Sequence, residues 1–250
     1  MQRRAKMIIK EKLSSFGANV AFASLFGSFR RGDYDEFSDI DLLVVYEDEK
    51  DADRVSKRLK YLEKELHRPV HINLFSLKEF KKRINLNDYL LASIIEDSSF
   101  ILGRKDLFLD AKRKISEPNL NEESIIFNRK MGVNILNNVH SFFDEFFNHE
   151  DAYFHLIKGL NDFRLALGYI YTSVQMQRLG KIFSNRRMMQ TEFGLHLKEF
   201  AQIERSIKRG INFSYTTIHE LIDGLRSMSL RILEKKTALQ KEALFLLFKT

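Results

Sequence analysis

The chemistry in this chain is concentrated in residues 25–45, LFGSFRRGDYDEFSDIDLLVV, where a glycine–serine turn and two carboxylates one residue apart lie between apolar runs. Side chains alternate across a strand, so Asp39 and Asp41 share one face while Ile40 points the other way, into a core. Carboxylates this close repel each other unless a cation lies between them, and Mg²⁺ or Mn²⁺ takes oxygen ligands of this kind. Gly27 and Ser28 follow the run VAFASLF and precede Arg30, Arg31 and Gly32. Backbone N–H groups at a glycine turn, a hydroxyl and guanidinium groups are what a triphosphate needs. The competing reading is a β-hairpin whose acidic residues only face water.

Gly27, Ser28, Arg31, Gly32, Ser38, Asp39, Asp41 and Leu42 match, without a gap over sixteen residues, a GSxxRG…SDxDL pattern. In this the chain resembles the DNA polymerase β-like nucleotidyltransferase superfamily, and most closely its minimal nucleotidyltransferase branch. The resemblance implies Asp39 and Asp41 as metal-holding catalytic residues, and Gly27, Ser28, Arg31 and Ser38 as nucleotide contacts. It further implies Mg²⁺ or Mn²⁺ as cofactor, an NTP (ATP first) as donor, and a hydroxyl acceptor on a small molecule, protein or RNA. Arg30 reads as a solvated neighbour of Arg31.

The superfamily also implies a third metal-binding carboxylate on a later strand, and here the chain departs from the pattern. Residues 68–80, RPVHINLFSLKEF, read as a strand opening into a helix, with Ser76 and Glu79 spaced as a capping box. Aligning this step puts Asn73 in the third position, and an amide carries no charge and is no base. His71 falls on the same strand face and is a candidate base or phosphate contact. Two rival functions follow: a nucleotide-binding or interaction module without transfer, and an antitoxin-like enzyme that adenylylates a protein. If both His71 and Asn73 point away from the aspartates, the binding module gains ground.

Composition limits the classes. At 250 residues and 44% hydrophobic content the chain can bury a full core, and with no cysteine it has neither disulfides nor thiol or cysteine-zinc chemistry. No run approaches the roughly 20 apolar residues of a membrane span. The basic start MQRRAKMIIKEKL lacks the apolar segment of a secretory signal, so the expected location is cytoplasmic. The net charge of +7 is spread unevenly, with 21 Lys and Arg against 19 Asp and Glu in residues 1–112 and 20 against 15 beyond. Such a balance suits anionic partners, but no helix-turn-helix, RNP or zinc pattern points to nucleic acid. No membrane partner is expected, and a homodimer is kept open.

The first 112 residues alternate as an α/β (α+β) domain with a mixed sheet requires. Residues 2–16 read as a helix stopped at Gly17; 19–26 and 39–46 as adjacent strands; 51–66 as a helix capped by Asp51 with Val55, Leu59, Leu62 and Leu66 on one face. A strand at 69–75, helices at about 77–83 and 87–96, and a short strand at 99–102 complete it. Residues 93–108, SIIEDSSFILGRKDLF, again resemble the end of a minimal nucleotidyltransferase domain.

The segment 111–124, with Pro118, marks the expected boundary between domains 1–112 and 113–250. Beyond it the pattern is helical: 120–149, 151–179, 186–208, and 216–248 opened by Thr217 and Glu220, together an antiparallel bundle. Gly180, Gly194, Gly210 and Gly224 are candidate breaks or close-packing points. Ile125, Ile126, Met131, Ile135, Val139, Phe142, Phe143 and Phe146 form the expected buried stripe of the first bundle helix. Phenylalanines at 142, 143, 146, 147, 154, 163, 183, 193 and 200 read as core. A bundle after such a domain resembles kanamycin nucleotidyltransferase-type and HEPN-joined layouts. Arg187 and His196, with eight residues between them, miss the HEPN ribonuclease spacing of four to six. His149, Glu150, Asp151 and His155 are a polar cluster at helical spacing, read as a solvated helix start or as a general base.

Overall fold

The computed structural model of the chain describes residues 2–14, 20–36, 38–48, 50, 52–145, 152–179, 203, 206–207, 209, 213–214, 216–224 and 227. Two apolar runs, VAFASLF and IDLLVVY, become the central strands β1 (Val20–Phe26) and β2 (Ile40–Tyr46), buried along nearly their whole length because helices cover both faces. They pair antiparallel, Phe26 opposite Asp41. Strand β3 (Val70–Ser76) adds parallel to β2, and β4 (Ser99–Gly103) adds antiparallel to β1, giving a mixed sheet of order β3-β2-β1-β4.

One face carries α1 (Gln2–Ser14) and α3 (Ala52–Leu66), with Ile9, Leu13, Val55 and Leu62 packed on Leu25, Ile40, Leu42 and Val44. The other carries α4 (Leu77–Asn85), α5 (Tyr89–Glu96) and α6 (Lys105–Ser116), with Phe80, Ile84, Leu91, Ile95 and Phe108 over Phe22, Leu43 and Val45. Between β1 and β2 lies a five-residue helix, α2 (Gly27–Arg31), where the sequence suggested only a turn. Gly32 ends it in the left-handed conformation (φ 89°), its N–H donating to the Ser28 carbonyl. The serine half of the expected capping box is present at α4, where Ser76 Oγ accepts from the Glu79 N–H at 3.1 Å.

Beyond the sheet, α7 (Glu122–Glu145) and α8 (Ala152–Leu179) pack as a pair around Leu136, Val139, Leu156, Leu160, Phe163 and Leu167. Phe163 is core, as expected; Ile126 is not, being 41% exposed. The buried face of α7 runs through Ser124, Asn128, Gly132 and Leu136 as well as the expected Val139, with Met131 and Ile135 packed beside it. Asn128 explains the rotation: its carboxamide accepts from the Tyr89 N–H and donates to the carbonyls of Leu86, Asn87 and Ser124. A polar side chain that satisfies four backbone groups is stable in the interior. The later helix at 216–224 is capped by Ser214, whose Oγ accepts from the Thr217 N–H (3.1 Å), not by Thr217 itself. Gly224 is helical, the last described residue of that run. Residue 112 falls within α6, and the chain leaves helix at 117–121. Gly17, Asp51, Gly180, Gly194, Gly210, Arg187, His196, the side chains of 140–155 and most of 180–215 and 225–250 lie outside the described residues. Among the described residues no helix is long and apolar enough to cross a membrane.

Candidate functional site

The sheet brings the motif together at one end. Antiparallel pairing places the end of β1 beside the start of β2, and the parallel β3 begins at the same end, with Ile40 opposite Val70 and Asp41 opposite His71. Strand β4, antiparallel to β1, starts there too, with Ser99 opposite Leu25. Every loop bearing a candidate residue therefore opens on this edge.

Gly27 and Asp41 are in direct contact. Gly27 has φ +75°, which suits glycine, and a Cβ placed on it would lie 2.1 Å from Asp41 Oδ2. The glycine thus provides a backbone conformation and, at the same time, room for the carboxylate. Asp41 Oδ1 lies 3.3 Å from His71 Nδ1, and the Asp41 side chain is 23% exposed against 65% for His71. His71 and Asp41 are in register on neighbouring strands, which puts both side chains on one face. Asn73 shares that face two residues further along, opposite Leu43. His71 therefore does not point away from Asp41.

Asp39 stands one residue outside β2, which begins at Ile40. The loop before it is held from within: Ser38 Oγ donates to Asp35 Oδ1 (2.7 Å) and accepts from the Asp35 N–H (2.9 Å). Arg68 fastens the same loop, donating to the carbonyls of Asp35 (2.8 Å) and Ser38 (3.2 Å) while its guanidinium lies over the Tyr34 ring. Ile40 then pairs through its N–H with the Pro69 carbonyl at 2.9 Å.

Arg31 and Arg30 meet a residue outside the motif. Asp97, in the turn between α5 and β4, accepts from the Gly27 N–H (3.0 Å) and Arg31 Nη1 (2.5 Å) through Oδ2, and from Arg30 Nη1 (3.4 Å) through Oδ1. Arg30 is thus paired rather than merely solvated. Arg31 Nε also donates to Asp33 Oδ2 at 3.3 Å. The neighbours respond to this crowding of charge. Burial, and then the Asp97 charge, push the Glu96 carboxyl above its ordinary pKa, and burial, and then Arg30, pull Lys112 below its own. Reading the sequence missed Asp97 and Arg68; the acidic pair ahead of the β4 apolar run was the available signal for the former.

Among the described residues no three His, Cys, Asp or Glu side chains converge as a metal site. The donor set at the sheet edge is nonetheless of the hard-oxygen type. Mg²⁺ is commonly held by one or two carboxylates and completed by water and substrate phosphate oxygens, a demand that Asp39 and Asp41 fit. The close approach of the Gly27 backbone to Asp41 means that a phosphate group at the turn and a cation at the carboxylate would be neighbours.

A family model described as "Nucleotidyltransferase domain" matches residues 6–130, half of the chain. None of the curated proteins matches it. Among solved structures, the chain is similar to part of a toxin–antitoxin complex with AMP-PNP, at 18% identity over 45% of this chain and 84% of that one, with a TM-score of 0.34. It is similar to part of a tri-AMPylated HEPN toxin–MNT antitoxin complex from Shewanella oneidensis, at 21% identity over 47% and 86%, with a TM-score of 0.33. A nucleotidyltransferase-like protein from Exiguobacterium sibiricum is 15% identical over 92% of this chain and 75% of that one, with a TM-score of 0.37.

Proposed function

From the premise that this chain belongs to the nucleotidyltransferase domain family, we propose that it moves a nucleoside monophosphate from an NTP, with ATP the first donor to test, onto a hydroxyl acceptor. The acceptor oxygen forms a bond to the α-phosphorus, the bond between that phosphorus and the β-bridging oxygen breaks, and pyrophosphate leaves. The observation that carries the reading is the contact of Gly27 with the Asp41 carboxylate, which joins the phosphate-type turn to the cation-type ligand.

Asp39 and Asp41 would hold Mg²⁺ or Mn²⁺, which when bound neutralises charge on the triphosphate and lowers the pKa of the attacking hydroxyl. Ser28 and Arg31 would bind the departing phosphates, the guanidinium offsetting the charge that develops on pyrophosphate. His71, 3.3 Å from Asp41 Oδ1, would take the acceptor's proton, a role the neutral Asn73 amide cannot fill. Ser38 would act on the nucleotide through the loop it ties to Asp35. We assign residues 1–112 to the transferase domain and 113–250 to a helical domain forming a wall of the acceptor site, in line with the habit of sites to lie between domains. The acceptor belongs to a small molecule, a protein or an RNA.

A second reading, nucleotide binding without transfer, rests on Asn73 standing where a third carboxylate is expected. Calorimetric titration with ATP in the presence and absence of Mg²⁺ tests the shared premise. Wild type should bind ATP with Mg²⁺, and Asp39→Asn and Asp41→Asn should lose that metal-dependent binding while keeping the wild-type melting temperature. Equal affinity in all three proteins would remove the aspartates from the site.

A further inference from the structure

We propose that Asp97 is a positioning residue for the nucleotide, holding the Gly27 turn and Arg31 in the geometry that receives the triphosphate. The inference rests on the functional reading above and extends it to a residue 70 positions away from Gly27 in sequence.

Gly27 is gripped on one side by the Asp41 carboxylate, against which its Cα packs, and on the other by Asp97 Oδ2, which accepts its N–H at 3.0 Å. Two carboxylates from different strands and turns thus fix one glycine, and its N–H is spent on Asp97 rather than on a ligand. What Gly27 contributes to the nucleotide is shape.

The same carboxylate organises the arginines. Arg31 donates Nη1 to Asp97 (2.5 Å) and Nε to Asp33 (3.3 Å), so its guanidinium is tied along two edges. Among the described residues neither Arg31 Nη2 nor the Ser28 hydroxyl has a protein hydrogen-bond partner. A guanidinium fixed by two carboxylates with one nitrogen unengaged is pre-organised for a phosphate oxygen. Arg30 Nη1 reaches Asp97 Oδ1 at 3.4 Å. Without the Asp97 charge, Arg30, Arg31 and nearby Lys112 would repel one another, and the arginine side chains would spread over many rotamers.

The opposite role would use the same contacts. As an internal competitor, Asp97 would occupy the anion position, and its removal would strengthen nucleotide binding. The unengaged Nη2 and Ser28 hydroxyl favour positioning, because a competitor that filled the cradle would engage them. The sign of the mutational effect separates the two.

Asp97→Asn keeps the shape and an acceptor for the Gly27 N–H but drops the charge; Asp97→Glu keeps the charge. Steady-state kinetics in ATP and Mg²⁺, with ATP titrated calorimetrically into each full-length protein, should give Asp97→Asn a KM and Kd raised about tenfold, with kcat within about threefold of wild type. Its melting temperature should stay within a few degrees, since the carboxamide keeps an acceptor for the Gly27 N–H and the ion pairs lost lie near the surface. Asp97→Glu should recover most of the affinity. An unchanged KM in Asp97→Asn, tighter ATP binding in that variant, or failure of Asp97→Glu to recover affinity would each overturn the inference. If Asp97→Asn does not fold, a wild-type KM in Asp97→Ala or a folded Arg31→Gln would overturn it equally. Absence of ATP binding by wild type would instead overturn the functional reading on which the inference stands.

Discussion

Replacing Gly27 by alanine should weaken the fold modestly and the activity severely, through a clash that can be followed atom by atom. The backbone cost comes first: at φ +75° an L side chain pays the left-handed penalty of about 1–2 kcal/mol. The contact cost is added to it. The new Cβ would sit 2.1 Å from Asp41 Oδ2, and ordinary contact begins at 3.4 Å, so the oxygen must retreat by at least 1.3 Å. Turning the Asp41 side chain that far forces it off its rotamer, at about 0.5–1.5 kcal/mol, and strains its 3.3 Å contact with His71. The sum is about 1.5–3.5 kcal/mol of stability, whereas a carboxylate misplaced by 1 Å can cost on the order of 10²-fold in rate. Urea denaturation of wild type, Gly27→Ala, Asp41→Ala and the double variant isolates the contact. Truncating Asp41 leaves only its Cβ at 3.3 Å from the new methyl group, so the Gly27→Ala penalty should fall to the backbone share in that background. Additivity of the two changes within about 0.5 kcal/mol, or a Gly27→Ala protein with wild-type transfer, would refute the reasoning.

Tyr169, fully buried on α8, donates to both Asp88 oxygens (3.1 and 3.2 Å), and burial followed by the Asp88 charge pushes its pKa far up, so it stays protonated. Tyr169→Phe should therefore cost about 1.5–3 kcal/mol, measured by urea titration, because Asp88 keeps only Arg83 and the Leu91 N–H. Gly168→Ala should be at least as damaging, since its Cβ would fall 2.0 Å from the Tyr89 ring; a thermal melt matching wild type would mean that α5 and α8 can separate cheaply. Asn73→Asp should raise pyrophosphate release if the third position limits turnover. A fast wild-type rate that falls in the variant would show that His71 and two carboxylates suffice.

How much of this was readable in advance depended on sequence distance. The Gly27–Leu42 motif was legible because its parts are joined by one short connection, and antiparallel pairing of two apolar runs forces their ends together. Asp97 and Arg68 were not, since nothing local distinguishes an aspartate after a helix from a solvated cap; only the β1–β4 pairing brings it to Gly27. Asp39 was expected on the strand, but Ser38 and Arg68 tie the preceding loop to Asp35, and regular pairing starts only at Ile40. The α7 stripe was misjudged at Ile126 because an apolar count cannot anticipate that Asn128 is buried to satisfy the Leu86–Tyr89 backbone and Ser124 to accept from the Asn87 side chain. Within α3, by contrast, Val55 and Leu62 are buried as their helical spacing required.

The central claim is that the α–β phosphate bond of an NTP is the bond that breaks, with Asp41 at the reacting centre. ATP labelled at the γ-phosphate, supplied with Mg²⁺ and with small-molecule, protein and RNA acceptor fractions in turn, measures this directly. The account predicts that the label leaves in pyrophosphate with at least one fraction, and that Asp41→Asn abolishes its release. Label released as orthophosphate, label transferred to an acceptor, or pyrophosphate formed equally well by Asp41→Asn would contradict it.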